Sequence, residues 1–319
     1  MIHTMDSMAT MLLSMTLAPN RDEYVRPLTT QEFRRVEAAA RASRYHSLGR
    51  LTEADISGLM LYLNLSEEEA YRVYTLLHRE VQLTYAVDNF MRDGIEIVTI
   101  YDSEYPQRVL RRMGDAAPPC FFRCGSAELL DQPAIAIVGI SGVKTTPAAR
   151  ESVEALVRGA VSRGYAVITG GELGLSRVAA SAVAERNGVL LNVLGGGLRE
   201  HVNQEGIDAL IALNRGAAIS LEHPDVMFTI SHAIARNKVL FSLADAAFVF
   251  NTDGKRGLLD VLRNRYCDWV YAWNGYPGNQ PLIIRGAVPF GNAADLDLDE
   301  LTRHWNDSRS EQINMFDLL

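Results

Sequence analysis

The sequence predicts an α/β protein in which a doubly wound parallel sheet follows a small all-helical module. Three observations predict it: short apolar strands alternate with helical stretches from Ala134 onwards, residues 28–92 carry helix caps without a strand pattern, and the loops after the strands are glycine-rich. The 319 residues are about twice the ~150 of one domain, enough for a large domain and a smaller one. Hydrophobic residues at 48% and charged residues at 22% set aside disordered, collagen-like and coiled-coil classes. No apolar run reaches the roughly 18 residues of a membrane span.

Met8 to Pro19 (MATMLLSMTLAP) has the composition of a signal-peptide core, but Asp6 and no Lys or Arg precede it, so it is expected to be an N-terminal helix. The three cysteines, Cys120, Cys124 and Cys267, form no disulfide framework and suit a reducing cytoplasm. Cys120 and Cys124 lack His or Cys partners at ligand spacing, so no metal is expected. Helix starts are read at Thr52-Glu53-Ala54-Asp55 and at the capping box Ser66-Glu67-Glu68-Glu69. Residues 1–92 are thus the helical module and 93–130, with Tyr105-Pro106 and Pro118-Pro119, an extended connector.

The sheet domain, 131–290, reads as AIAIVG (134–139), helix 147–163, YAVIT (165–169), helix 174–187, VLLNVLG (189–195), helix 203–214, AAISL (217–221), helix 228–243, AAFVF (246–250), helix 256–266 and DWVYAW (268–273). Thr146 is the expected N-cap of the first of these helices, with Pro147 at its first position. Ligands of such sheets bind where strands end and helix N-termini expose free N–H groups. The loops there are Gly139-Ile140-Ser141-Gly142-Val143-Lys144-Thr145, then Thr169-Gly170-Gly171, then Gly195-Gly196-Gly197. Each alone could be an ordinary turn; three on one edge point to a phosphate-containing ligand.

Charge is unevenly spread within a net of −8: basic and acidic residues number 14 and 18 over 1–130, 15 and 14 over 131–290, and 2 and 7 over the tail, 291–319. A neutral sheet domain can still hold a local phosphate pocket. Several catalytic motifs fail. Val143 stands where a P-loop needs glycine, and neither G-x-G-x-x-G nor G-x-S-x-G occurs. His201, His223 and His232 lack ligand spacing and are expected to be surface or packed side chains. No catalytic residue and no cofactor is assigned.

The stretch Ala235-Arg236-Asn237-Lys238-Val239-Leu240-Phe241, before AAFVF, resembles the Arg-Asn-Arg helix of the DNA-processing protein A family (DprA, or Smf). Asp102, Tyr105, Pro106 and Pro118-Pro119 are similar to that family's lead-in, and Gly195 to Leu198 to its Gly-x-Gly-Leu. Gly278-Asn279, Leu282-Ile283 and Gly286-Ala287 are similar to its Gly-Asn, Leu-Ile and Gly-Ala pieces. The resemblance covers roughly 90–290. It implies a Rossmann-like SLOG domain that binds single-stranded DNA, forms homodimers and loads a RecA-type recombinase in the cytoplasm. The chain departs from the family at Gly139-Ile140-Ser141, where an arginine is lost, and at Glu172-Leu173-Gly174-Leu175-Ser176 and Ala179-Ala180, where a pocket arginine, aspartate and histidine are lost together.

The residues expected to hold DNA phosphate are therefore Gly139, Ser141, Lys144, Thr145, Gly170, Gly171, Gly196, Arg236, Asn237, Lys238, Lys255 and Arg256, the last two being alternatively solvated turn residues. A phosphoribohydrolase signature is absent from Asn251–Asp260, which leaves an enzyme the minority reading. The rival is a SLOG-type nucleotide sensor or defence component; a third reading is a partner protein without a ligand. In the tail, Gln312-Ile313-Asn314-Met315-Phe316 resembles the peptide by which bacterial proteins dock on the replication sliding clamp, with Gln312, Met315 and Phe316 as its anchors.

Overall fold

The computed structural model describes residues 3–17, 25–140, 144–202, 206–252, 256–300 and 302–303. The side chains of Val202 and Arg256 are outside that description. The helical module comprises α1 (Met5–Ser14), α2 (Thr30–Ala42), α3 (Ile56–Leu63), α4 (Glu67–Leu77) and α5 (Glu80–Arg92). Local chemistry sets their starts. Thr29 and Ser66 each close a capping box with the glutamate three residues on. Asp55, rather than Thr52, caps α3 by accepting from Gly58 N–H. Thr52 turns its hydroxyl back to the Gly49 carbonyl at 2.9 Å, because Asp55 is the residue adjoining the helix. The module has its own core, with Phe33, Val36, Leu48, Leu59, Val73 and Leu76 at its centre.

The next elements are β1 (Ile95–Thr99), α6 (Gln107–Met113) and β2 (Cys120–Gly125). Then come β3 (Ala134–Val138), α7 (Pro147–Val161), β4 (Ala166–Thr169), α8 (Leu175–Glu185), β5 (Leu190–Leu194), α9 (Leu198–Val202), α10 (Ile207–Ala212) and β6 (Gly216–Ser220). The chain continues through α11 (Ile230–Leu243), β7 (Ala246–Val249), α12 (Arg256–Arg263), β8 (Trp269–Trp273), α13 (Gln280–Ile284) and β9 (Val288–Phe290). The nine strands of the described residues make one sheet, ordered β1-β2-β6-β5-β4-β3-β7-β8-β9. Seven of them, β3 to β9, pair in parallel through adjacent registers, and β2 and β1 extend that sheet antiparallel beyond β6.

The expected connector is therefore corrected: its two ends are strands of the main sheet. The alternation Ile95, Ile97 against Val98 explains it. The two isoleucines pack with Leu83 and Phe90 of α5 and with Met11 and Leu12 of α1, while Val98 enters the core beneath α6 and α11. The helix expected over 203–214 is also revised, since α9 ends at Val202 and α10 begins at Ile207.

Strands β3 to β7 are buried on both faces, which is why they read as continuous apolar runs. Ala134, Ala136 and Val138 face α6, α11 and α12; Ile135 and Ile137 face α7 and α8. Thr146 caps α7 by accepting from Ala149 N–H, with Pro147 first in the helix. Asn279 of the Gly-Asn piece is fully buried. Its amide donates to the Val249, Phe250 and Trp273 carbonyls at 3.3, 3.0 and 2.8 Å, tying the ends of β7 and β8 together.

Candidate functional site

The chain leaves β4, β5 and β6 through three segments, 170–173, 195–201 and 224–228, that enclose a cavity of about 680 Å³ at the carboxyl edge of the sheet. Its walls need glycine because neighbouring backbone and the Arg236 and Glu172 side chains pass close to them. A Cβ at Gly196 would lie 2.9 Å from Phe228 N, and one at Gly170 would lie 2.3 Å from Arg236 Nη1. Gly171 holds φ at +76°, a left-handed conformation that L side chains resist. At the rim Leu173, Met227 and Phe228 are exposed, Met227 by 81%.

Arg236 behaves differently from the expectation of a phosphate-binding arginine. It is 6% exposed and lies behind the cavity wall. Its guanidinium donates to the Gly170 carbonyl at 2.9 Å, to the Val193 carbonyl and to Glu172, and its Nε donates to Asn237 Oδ1 at 2.9 Å. Burial lowers its pKa, with Glu172 opposing the shift. The residue that adds an acid to the loop is thus the partner that draws the arginine inward, and the pair clamps α11 to the ends of β4 and β5. Asn237 is committed to the same clamp. Lys238 lines a different cavity of about 370 Å³, with Glu222, His223, Pro118 and residues of the N-terminal module.

A buried polar chain runs beside the clamp. Gly171 N–H donates to Thr169 Oγ1 at 3.1 Å, Thr169 Oγ1 donates to Asn192 Oδ1 at 2.6 Å, and Asn192 Nδ2 meets His201 Nε2 at 3.0 Å. His201 is 6% exposed, and burial pushes its pKa down to about 4, so the ring is neutral near pH 7. Sequence reasoning assigned His201 no role; the polar Thr169 and Asn192 at the ends of apolar strands were the signal available for finding it.

The first loop contributes less than expected. At the point where β3 and β7 diverge, Asn251 Oδ1 accepts from Ile140 N–H at 2.5 Å. The missing Cβ of Gly139 leaves room for Asn251 and for Leu175, at 3.1 and 3.0 Å. That crevice is occupied by protein, and Asn251 was not anticipated. Lys144 is exposed before α7, and Thr145 is half-buried near Gly174. Ser141, Lys255 and the tail residues Gln312, Met315 and Phe316 lie outside the described residues, and Arg256 opens α12.

Acids outnumber bases along the 680 Å³ cavity, where Glu172, Glu200 and Asp225 face Arg199. Arg199 is itself bound to Asp93 at 3.2 Å and to Asp225 at 3.0 Å. Phosphate here would meet backbone N–H groups more than cations. Among the described residues, no three His, Cys, Asp or Glu side chains are grouped to hold a metal ion, and no helix is long and apolar enough to cross a membrane.

The family model for DNA recombination-mediator protein A matches residues 96–267. The fold is similar to an X-ray structure of DNA processing protein A (DprA) from Streptococcus pneumoniae, with a TM-score of 0.60 and 18% identity over 84% of this chain and 96% of that one. It is also similar to DNA processing protein A from Helicobacter pylori, whose structure was described for its single-stranded DNA binding mode. There the TM-score is 0.51, with 19% identity over 69% of this chain and 98% of that one. No curated protein matches the chain.

Proposed function

The chain belongs to the DNA recombination-mediator protein A family, and from that premise we propose that it binds single-stranded DNA along the carboxyl edge of its sheet as a mediator of DNA processing. The observation that carries this reading is the 680 Å³ cavity floored by the turns at Gly170-Gly171 and Gly195-Gly197. Backbone N–H groups of these turns other than those of Gly171 and Gly197, which donate to Thr169 Oγ1 and the Val226 carbonyl, take phosphate oxygens, and exposed Phe228 and Met227 offer apolar surface to bases. Lys144 supplies charge from beside α7. The H. pylori relative, described as binding single-stranded DNA, supports the same ligand.

A second reading, a small nucleotide as ligand, is favoured by Arg236 being turned inward and by the three carboxylates on the cavity wall. Fluorescence anisotropy of labelled oligo-dT at low and moderate salt, with mononucleotides as competitors, separates the two. Saturable, salt-sensitive binding is expected. Absence of a shift at low salt, together with tight mononucleotide binding, would replace the first reading by the second.

The proposal extends to a RecA-type recombinase as partner, to a homodimer and to docking on a sliding clamp through Gln312, Met315 and Phe316. A peptide covering 308–319 is expected to bind a clamp and to lose binding on Phe316→Ala. An inert unmodified peptide would end the clamp part alone.

A further inference from the structure

The cavity of about 370 Å³ that holds Lys238 lies between the helical module and the sheet domain. Ser14 at the end of α1 and Thr29 and Thr30 at the start of α2 close it from the module, and α6, β2, the segment after β6 and α11 close it from the sheet domain. It takes in none of the glycine turns. Its volume is within the roughly 300–1,000 Å³ of small-molecule sites.

Met15, Leu28, Met113, Phe122 and Val239 give the cavity apolar walls. Pro118 and Pro119 add wall without donors, since proline has no N–H. Their carbonyls already accept, from the Tyr105 hydroxyl at 2.7 Å and from Ile100 N–H at 3.0 Å. Two donors are left without partners. Lys238 is half-buried and forms no ion pair with a described residue. Ser14 Oγ is buried and has no hydrogen-bond partner among the described residues. Cys120 brings no charge, because burial pushes its thiol up to about 12. The wall has one carboxylate among the described residues, Glu222, which stands 3.6 Å from His232 Nε2 and whose pKa is raised by burial. An ammonium and a hydroxyl taken out of water without partners are costly, and an anionic ligand offers acceptors to both. A phosphate dianion would exceed the single cation and face Glu222, so one negative charge on an apolar body fits the lining best.

We propose that this cavity binds a small amphipathic monoanion, a carboxylate or sulfonate on an apolar body, whose charge pairs with Lys238 and whose body packs on Met15, Leu28 and Phe122. The site is separate from the nucleic-acid edge and does not rest on that reading. Because its walls come from both the module and the sheet domain, an occupant ties the two together and stabilises the folded chain.

The test is a fluorescence titration of the full chain with anilinonaphthalene sulfonate, an apolar ring system bearing one anion, beside phenylnaphthylamine, the same ring system uncharged. Wild type is expected to bind the sulfonate saturably and tighter than the amine by about tenfold, the worth of one charged hydrogen bond. The sulfonate is also expected to raise the melting temperature of wild type. Lys238→Met keeps the aliphatic stem and removes the charge, so the two affinities come together through a weaker sulfonate. Ala235→Phe fills the cavity from an exposed position of α11 and is expected to lose both dyes, which guards against a folding defect in the first variant. Equal affinities or an unraised melting temperature in wild type, a sulfonate preference kept by Lys238→Met, or sulfonate binding kept by Ala235→Phe overturns the site. No nucleic acid enters the titration, so such a failure leaves the DNA reading standing.

Discussion

At the scale of single residues, Arg236 and Glu172 decide how far the site departs from a cationic groove. With side-chain exposures of 7% and 14%, they are a buried ion pair whose guanidinium also satisfies two backbone carbonyls. Removing one partner of such a pair strands the other, at about 3–5 kcal/mol. Arg236→Ala is expected to lower unfolding free energy by that amount in urea titration, and a loss below about 1 kcal/mol would contradict the clamp. His201 adds a pH signature. Its folded pKa lies near 4 against an ordinary 6.5, so the unfolded chain binds a proton the folded chain refuses. Stability from this group is full above pH 6.5 and falls as pH drops toward 4, by about 3 kcal/mol. His201→Phe is expected to flatten the stability curve across that window, which urea midpoints at matched pH would measure.

At the scale of elements, the docking of the first helix rests on Asp102. Ser7 of α1 donates to it at 2.7 Å, and Thr99 at the end of β1 donates through N–H at 2.7 Å and hydroxyl at 2.9 Å. Burial would raise its pKa, but hydrogen bonds involving His3, Ser7 and Thr99 outweigh that and hold it at about 2. A depressed carboxylate stabilises above its unfolded pKa of 3.8 and ceases to do so as pH falls through 2. Asp102→Asn is expected to cost about 2 kcal/mol at neutral pH and to speed amide exchange in α1 before the sheet; unchanged exchange would place the anchor elsewhere. Much of this architecture was legible. Strand and helix alternation, the Thr146 cap and the glycine turns follow from local rules that tertiary packing obeys here. Arg236 was legible as an odd residue in an apolar helix, yet the same letters describe a groove cation and a buried clamp. Only the proximity of Glu172, 64 positions away in the chain, separates them. The antiparallel extension at β1 and β2 was hidden for a similar reason, since prolines between two short runs say nothing of which strand edge receives them.

At the scale of the whole molecule, net charge bears on the proposed affinity for a polyanion. The chain carries −8, and at the cavity its arginines are engaged: Arg236 by Glu172, Arg199 by Asp93 and Asp225. Backbone amides bind phosphate without releasing counterions in proportion to cation count, so in the proposed complex affinity comes largely from fixed dipoles and from base contacts at Phe228. Each cation that does pair with single-stranded phosphate contributes about 0.7 to the slope of log affinity against log salt. Lys144, exposed next to the N-terminus of α7, is the cation proposed for that role. Lys144→Ala should therefore make the oligo-dT slope shallower by about 0.7. Parallel titrations of both proteins across salt concentrations measure it. A slope that stays the same removes Lys144 from the interface and leaves the glycine turns to hold phosphate without it.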